Sequence, residues 1–248
     1  MKRVIIKTSE AVANYGGAME ADTISKHGAS PKSQMSRNFF RKVAIVVIAS
    51  TMSVALYAQN KGYGVQAGVN FTTLSGWLKG ALETPNLDIK RKPGIQFGGF
   101  AQQPFGHSNF GVQSELLFSQ LGTKMEAIST QGRYEVKETG TINLNCLLFR
   151  FHVQYNFAFN DGFALTLHSG LNLAYSMWGK TKYEMFRDGE KVDGDSESFF
   201  GDARKGADVG IGLGAALMIQ EKFRVGVGYD AGIIFHNLMF SFTYMLGK

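Results

Sequence analysis

The chain has 248 residues, 44% of them hydrophobic and 19% charged, with 30 glycines, 4 prolines and a mean hydropathy of -0.08. That hydropathy argues against a bundle of transmembrane helices but leaves open a membrane barrel, whose strands are apolar on one face only. The net charge of +6 reads as a modest excess of solvated Lys and Arg, because no basic run is interleaved with aromatics, so no nucleic-acid partner is expected.

Residues 1–34 are polar, mixed in charge and without a clear period, and are expected to be a non-native or disordered extension. Met35 opens Met-Ser-Arg-Asn-Phe-Phe-Arg-Lys, a conventional signal start, which suggests that translation begins there. Arg37, Arg41 and Lys42 precede an apolar run over 43–58. The run is shorter than the ~20 residues that span a bilayer comfortably as a helix. Residues 35–58 therefore read as a helical signal peptide cleaved after Ala58, with 59–248 as the mature domain.

From Tyr63 onward a two-residue beat dominates. In Tyr63-Gly64-Val65-Gln66-Ala67-Gly68-Val69-Asn70-Phe71 the odd positions are apolar and the even ones are Gly or uncharged polar. Strict alternation predicts strands with one apolar and one polar face. About eight such segments follow one another, the number found in the smallest outer-membrane barrels. They cover 62–71, 94–103, 109–121, 141–158, 163–177, 207–219, 222–233 and 238–246. In the fourth, apolar positions are even up to Cys146 and odd from Phe149, which predicts a β-bulge at Leu147–Leu148. Cys146 is the single cysteine, so there is no intrachain disulfide or cysteine-rich metal site, and a packed side chain is expected.

The connections alternate in length. Those after the second, fourth and sixth segments are short, while 74–93, 122–140 and 187–206 are long and charged. Short turns on one rim and long loops on the other mark a membrane barrel with periplasmic short turns. The last hairpin, near His236-Asn237, breaks this rule. The polar faces are mostly Gly, Gln, Asn, Ser and Thr, where a water-facing strand would carry Lys and Glu. Small polar residues suit the crowded interior of a narrow barrel, so the apolar face is assigned to lipid. The expected fold is all-β: an eight-stranded, up-and-down antiparallel transmembrane β-barrel behind a helical signal segment.

Gly64-Val65-Gln66-Ala67-Gly68-Val69-Asn70-Phe71-Thr72-Thr73-Leu74-Ser75-Gly76 resembles the opening strand of the PorT-like outer-membrane β-barrel family of Bacteroidetes. Ser114-Glu115-Leu116-Leu117-Phe118-Ser119-Gln120-Leu121-Gly122-Thr123-Lys124, Ser169-Gly170-Leu171-Asn172-Leu173-Ala174-Tyr175 and Ala207-Asp208-Val209-Gly210-Ile211-Gly212-Leu213-Gly214-Ala215 extend the likeness over nearly all of 62–246. The fourth segment departs from the family pattern, with Cys146-Leu147-Leu148 near the place of an Ile-Pro pair. The C-terminal Leu246-Gly247-Lys248 replaces a terminal aromatic. The resemblance implies an outer-membrane barrel and not one particular activity. The family's founding member is linked to secretion across the outer membrane.

The inward faces carry Glu115, Arg150, His152, His168, Asp208, Arg224 and Asp230. Glu115 and Arg150 fall at matching heights on neighbouring segments, so an ion pair is expected between them. Glu115, Arg150, His152, His168 and Asp230 are read as a structural lumen network, since charges inside a narrow barrel must be paired. A proton path or a His–carboxylate hydrolase site would use the same residues. Trp77 and Trp178 are expected at the membrane interface. No metal-ligand spacing, phosphate loop or nucleotide fingerprint appears, and no catalytic residue, cofactor or metal is expected. The expected role is a non-enzymatic envelope protein with a filled lumen, serving structure, binding or secretion. Its partners would be outer-membrane lipid and envelope proteins reached through 74–93, 122–140 and 187–206. The alternatives are an outer-membrane enzyme acting on lipid or peptide, and a small pore.

Overall fold

The alternation becomes hydrogen-bonded pairing in a computed structural model, which describes residues 62–82, 87–131, 134–160, 162–198 and 206–247. The expected extension 1–34 and signal peptide 35–58 lie outside the described residues. In chain order the elements are β1 (Tyr63–Leu74), α1 (Gly76–Leu82), β2 (Leu87–Pro104), β3 (Phe110–Gln131), β4 (Tyr134–Asn160), β5 (Phe163–Arg187), β6 (Glu190–Ser198), β7 (Ala207–Ile219), β8 (Phe223–Gly232) and β9 (Phe235–Gly247).

The nine strands form one sheet in the order β4-β3-β2-β1-β9-β8-β7-β5-β6, and β4 also pairs with β5. That last pairing closes a ring of eight strands, all neighbours antiparallel, with β6 outside it. β1 seals the ring against β9 from Tyr63↔Gly247 to Leu74↔Phe235. The eight-stranded up-and-down barrel is therefore observed. β6 is a branch: the lower part of β5 pairs with β7 and its upper part, Lys180–Arg187, pairs with β6.

The outward faces form an apolar belt. Leu171, Ile211 and Leu213 are 62%, 59% and 60% exposed. A continuous surface of this kind is tolerated against hydrocarbon, not water. Aromatic residues gather at its short-turn edge, where Phe110 packs on Tyr155 (centroids 4.6 Å apart) and Phe223 on Tyr244 (5.3 Å).

The three expected loops are largely ordered structure. Segment 122–140 continues β3 and β4 as one hairpin, paired from Gly122↔Asn143 to Gln131↔Tyr134. Segment 74–93 holds α1 and the start of β2, and 187–206 holds β6. The β5–β6 turn follows from Asp188-Gly189, with φ of 48° and 85°. Two successive positive φ values twist a two-residue turn in the same sense as its strands. The odd final hairpin has a structural partner: the Asp208 carboxylate on β7 accepts backbone N–H groups of Ile234 and Phe235, each at 3.0 Å, and holds the β8–β9 turn.

The bulge expected at Leu147–Leu148 is also corrected. β4 pairs with β3 without a register shift, and Ile142, Leu144, Cys146, Leu148, Arg150 and His152 all point inward and are buried. The alternation reverses because the surroundings change. Near the short turns the interior is polar and the exterior apolar. Above Leu147 the interior is apolar and the exterior carries Asn145, Asn143 and Thr141. Register shifts occur instead between Arg91 and Gln96 in β2 and opposite Asn145/Cys146, where Met177 is the extra residue of β5. The upper interior is a hydrophobic cluster that includes Leu78 of α1, Ile89, Leu121, Met125, Ile142, Leu144, Cys146 and Phe235.

Candidate functional site in the barrel lumen

Each lumen side chain is placed by strand parity. Inward positions of β3 and β4 put Glu115 directly opposite Arg150 in register, while Asp230 enters from the far wall on β8. Arg150 is buried, and its guanidinium joins the two acids: Nη1 donates to Glu115 Oε2 at 3.2 Å and Nη2 to Asp230 Oδ2 at 2.7 Å. Asn172 donates from Nδ2 to Asp230 Oδ1 at 2.6 Å, and its own Oδ1 lies 2.9 Å from His152 Nε2. The His168 ring stacks on that of His152, with centroids 5.1 Å apart and planes 10° apart. The five lumen residues singled out from the sequence thus come together in one cluster.

A second cation lies toward the short turns. Arg224 donates from Nη1 to Gln113 Oε1 and from Nη2 to Gln102 Oε1, each at 2.7 Å, and sits 5.9 Å from the Phe100 ring centroid. Gln113 donates in turn to Glu115 Oε1 at 2.6 Å, so one glutamine links the two arginines through a carboxylate. Two guanidiniums and two carboxylates cancel in formal charge, which suits a site where an unpaired ion is costly. Asn237 extends the net to Thr72, whose hydroxyl donates to its Oδ1 at 3.1 Å.

The charged members are legible in the sequence as partners; the amides are not. Gln96, Gln102, Gln113, Asn172 and Asn237 occupy inward positions, but an uncharged amide carries no sign that marks a partner. The β7 glycines are the other unrecognised component. A Cβ at Gly212 would stand 2.5 Å from Asn172 Nδ2 and 2.8 Å from Asp230 Oδ1, and one at Gly214 would collide with the His168 ring. Those positions stay bare so that polar side chains of β5 and β8, the strands paired on either side of β7, can lie across it in the lumen.

Little space remains. One cavity of ≈ 30 Å³ lies between the polar layer and the apolar layer, bordered by Leu121, Leu148, Asn172 and Asp230. Another of ≈ 20 Å³ lies beside Glu115, His152, His168 and Arg224. Each has room for about one or two water-sized guests. No group of three or more potential metal ligands occurs among the described residues. Trp178 is exposed on the outer face of β5, its ring 6.1 Å from that of Phe118 at the upper edge of the apolar belt. Trp77 falls within α1.

The family match points the same way as the architecture. Residues 57–239 match the family described as "Outer membrane protein beta-barrel domain". No curated protein matches the chain. Among solved structures, Ail of Yersinia pestis aligns at 13% identity and a TM-score of 0.33, over 76% of this chain and 100% of that one. The N-terminal β-barrel domain of Pseudomonas aeruginosa OprF aligns at 11% identity and 0.28, over 74% and 100%.

Proposed function

We propose that this chain, which belongs to the outer membrane protein beta-barrel domain family, acts as a closed, non-enzymatic barrel that holds a broad sheet outside the cell. The protein resides in the outer membrane. With the short turns periplasmic, as in other such barrels, the tall β3–β4 and β5–β6 hairpins and α1 are extracellular.

The observation that carries this reading is the double closure of the lumen. A charge-balanced polar layer around Arg150 fills the membrane level, and the cluster of Leu78, Leu121, Met125 and Ile142 closes it from above. Side chains filling a narrow barrel leave no aqueous path. The same closure weighs against the enzyme alternative, since substrate has no route to the buried His152. What the barrel presents is the projecting sheet β2–β6, with Ile128, Tyr134 and Val192 exposed at 51%, 54% and 51%. Exposed apolar side chains on a water-facing sheet suit a binding platform for envelope or extracellular partners.

Within the family, the motifs around Gly64–Gly76 and Ser114–Lys124 favour the PorT-like group of Bacteroidetes, and with it a secretion-accessory role and an export signal at 35–58. Planar-bilayer recording on the refolded protein tests the closed lumen: no stable conductance is expected, and a large steady conductance would overturn the reading in favour of a pore.

A further inference from the structure

The register of the extracellular sheet aligns lysines that lie far apart in sequence. Lys90 on β2 pairs with Lys124 on β3, Lys124 with Thr141 on β4, and Thr141 with Lys182 on β5. Directly paired residues share a face, so Lys90, Lys124 and Lys182 form one row. It is the outer face, because Ile142 and Tyr183, the next residues along β4 and β5, are buried inward. Lys180 lies one row closer to the membrane, paired with Asn143. With strands ~4.8 Å apart, the row from β2 to β5 is ~14 Å wide.

Height is given by Trp178, which marks the upper edge of the apolar belt. Lys180 and Lys182 follow it by two and four residues, or ~5 and ~10 Å along the membrane normal for strands tilted ~40°. That is the headgroup zone of the leaflet. The row above is acidic: Asp88, Glu126 and Glu184. Glu126 holds Lys90 at 2.6 Å and Lys124 at 2.7 Å. Lys180 and Lys182 are exposed, and among the described residues no carboxylate lies within ion-pair distance of either.

We infer that Lys124, Lys180 and Lys182, with Lys90 at the edge, form a binding site for the phosphate groups of an outer-leaflet lipid headgroup. The inference rests on the barrel's placement in the membrane with its long hairpins outward. Ammonium groups at headgroup depth attract anionic lipid, and the phosphate oxygens accept charge-assisted hydrogen bonds from them. Glu126 positions two of the four lysines, while Lys180 and Lys182 remain available.

The test compares the folded full chain in detergent with its Lys180→Gln/Lys182→Gln double variant and, as control, Lys222→Gln at a short turn. Native mass spectrometry titrates each with lipid A, with dephosphorylated lipid A and with inorganic phosphate. About fivefold weaker lipid A binding is expected per lysine removed, hence ~25-fold for the double variant, with the control unchanged. Equal binding of dephosphorylated lipid A would overturn the site. So would inorganic phosphate competing as well as the lipid, since the site would then serve a free anion. Heat-modifiable gel migration of each variant separates the two levels: its loss in the wild type would count against the barrel itself. Its retention without lipid discrimination would count against this site alone.

Discussion

At the scale of single residues, the lumen depends unequally on its members. Arg150 bridges Glu115 and Asp230, so removing it deprives two buried carboxylates of the cation they share. Removing Glu115 leaves Arg150 its shorter contact, at 2.7 Å, to Asp230. Breaking a buried pair by deleting one partner costs about 3–5 kcal/mol. Arg150→Ala is therefore expected at or above that range and Glu115→Ala below it. The Glu115→Ala/Arg150→Ala double variant should lose less than the two single losses added, with a coupling of about 0.5–3 kcal/mol. Detergent melting of the three variants measures this. Strictly additive losses would contradict a direct Glu115–Arg150 interaction.

At the scale of elements, the β3–β4 hairpin stands above the lipid through its own cross-strand chemistry. Glu126 lies within 3.7 Å of Lys137 as well as beside Lys90 and Lys124. The hydrogen bonds from Lys124 and Lys90 pull its pKa down to about 2. A carboxyl with a folded pKa below its unfolded value contributes stability that is present above the unfolded pKa and lost as pH falls toward the folded one. The protection of amides over 123–141, taken as exchange relative to the unstructured-chain rate at each pH, should therefore fall between pH ~4.5 and ~2. Glu126→Gln should remove that acid step, and an unchanged step in the variant would reassign it to another carboxyl. The hairpin also shows where the sequence was legible. Within the lipid belt, apolar residues alternate with Gly, Gln and Asn, so β7 could be read directly as 207–219, whereas β5 starts at Phe163 as expected but runs on to Arg187, ten residues past the expected end at 177. Beyond it, Lys124, Glu126 and Lys137 resemble loop residues, because charged pairing on a wet sheet face breaks the apolar beat. Asp188-Gly189, a strong hairpin signal, lay inside a run whose charges read as loop. The acid–base pair Glu115–Arg150 was legible because opposite charges at equal height announce each other. The amides and the bare positions Gly212 and Gly214 have meaning only once the strands are paired and the ring is closed.

At the scale of the molecule, two cylinders of opposite polarity are joined end to end. The lower is apolar outside and polar within; the upper is polar outside and apolar within. The junction runs around the long strands at one level, through Phe118↔Leu147 and Leu117↔Leu148 on β3 and β4, and reaches β5 at Ala174 and Trp178. Reconstitution in vesicles of graded acyl-chain length should give a melting midpoint that peaks at one thickness and falls on both sides, by fractions of a kcal/mol per Å of mismatch. A midpoint rising steadily with thickness would show that the upper boundary is not set by this junction.

The reversal of polarity at Leu147 thus works as a waterline. Pushed deeper, the protein would drown Lys180 and Lys182 in hydrocarbon; raised, it would strand Leu171 and Ile211 in water. Like a hull marked at its loading depth, the barrel floats at one draught, and the sheet above it is held at a constant height over the lipid.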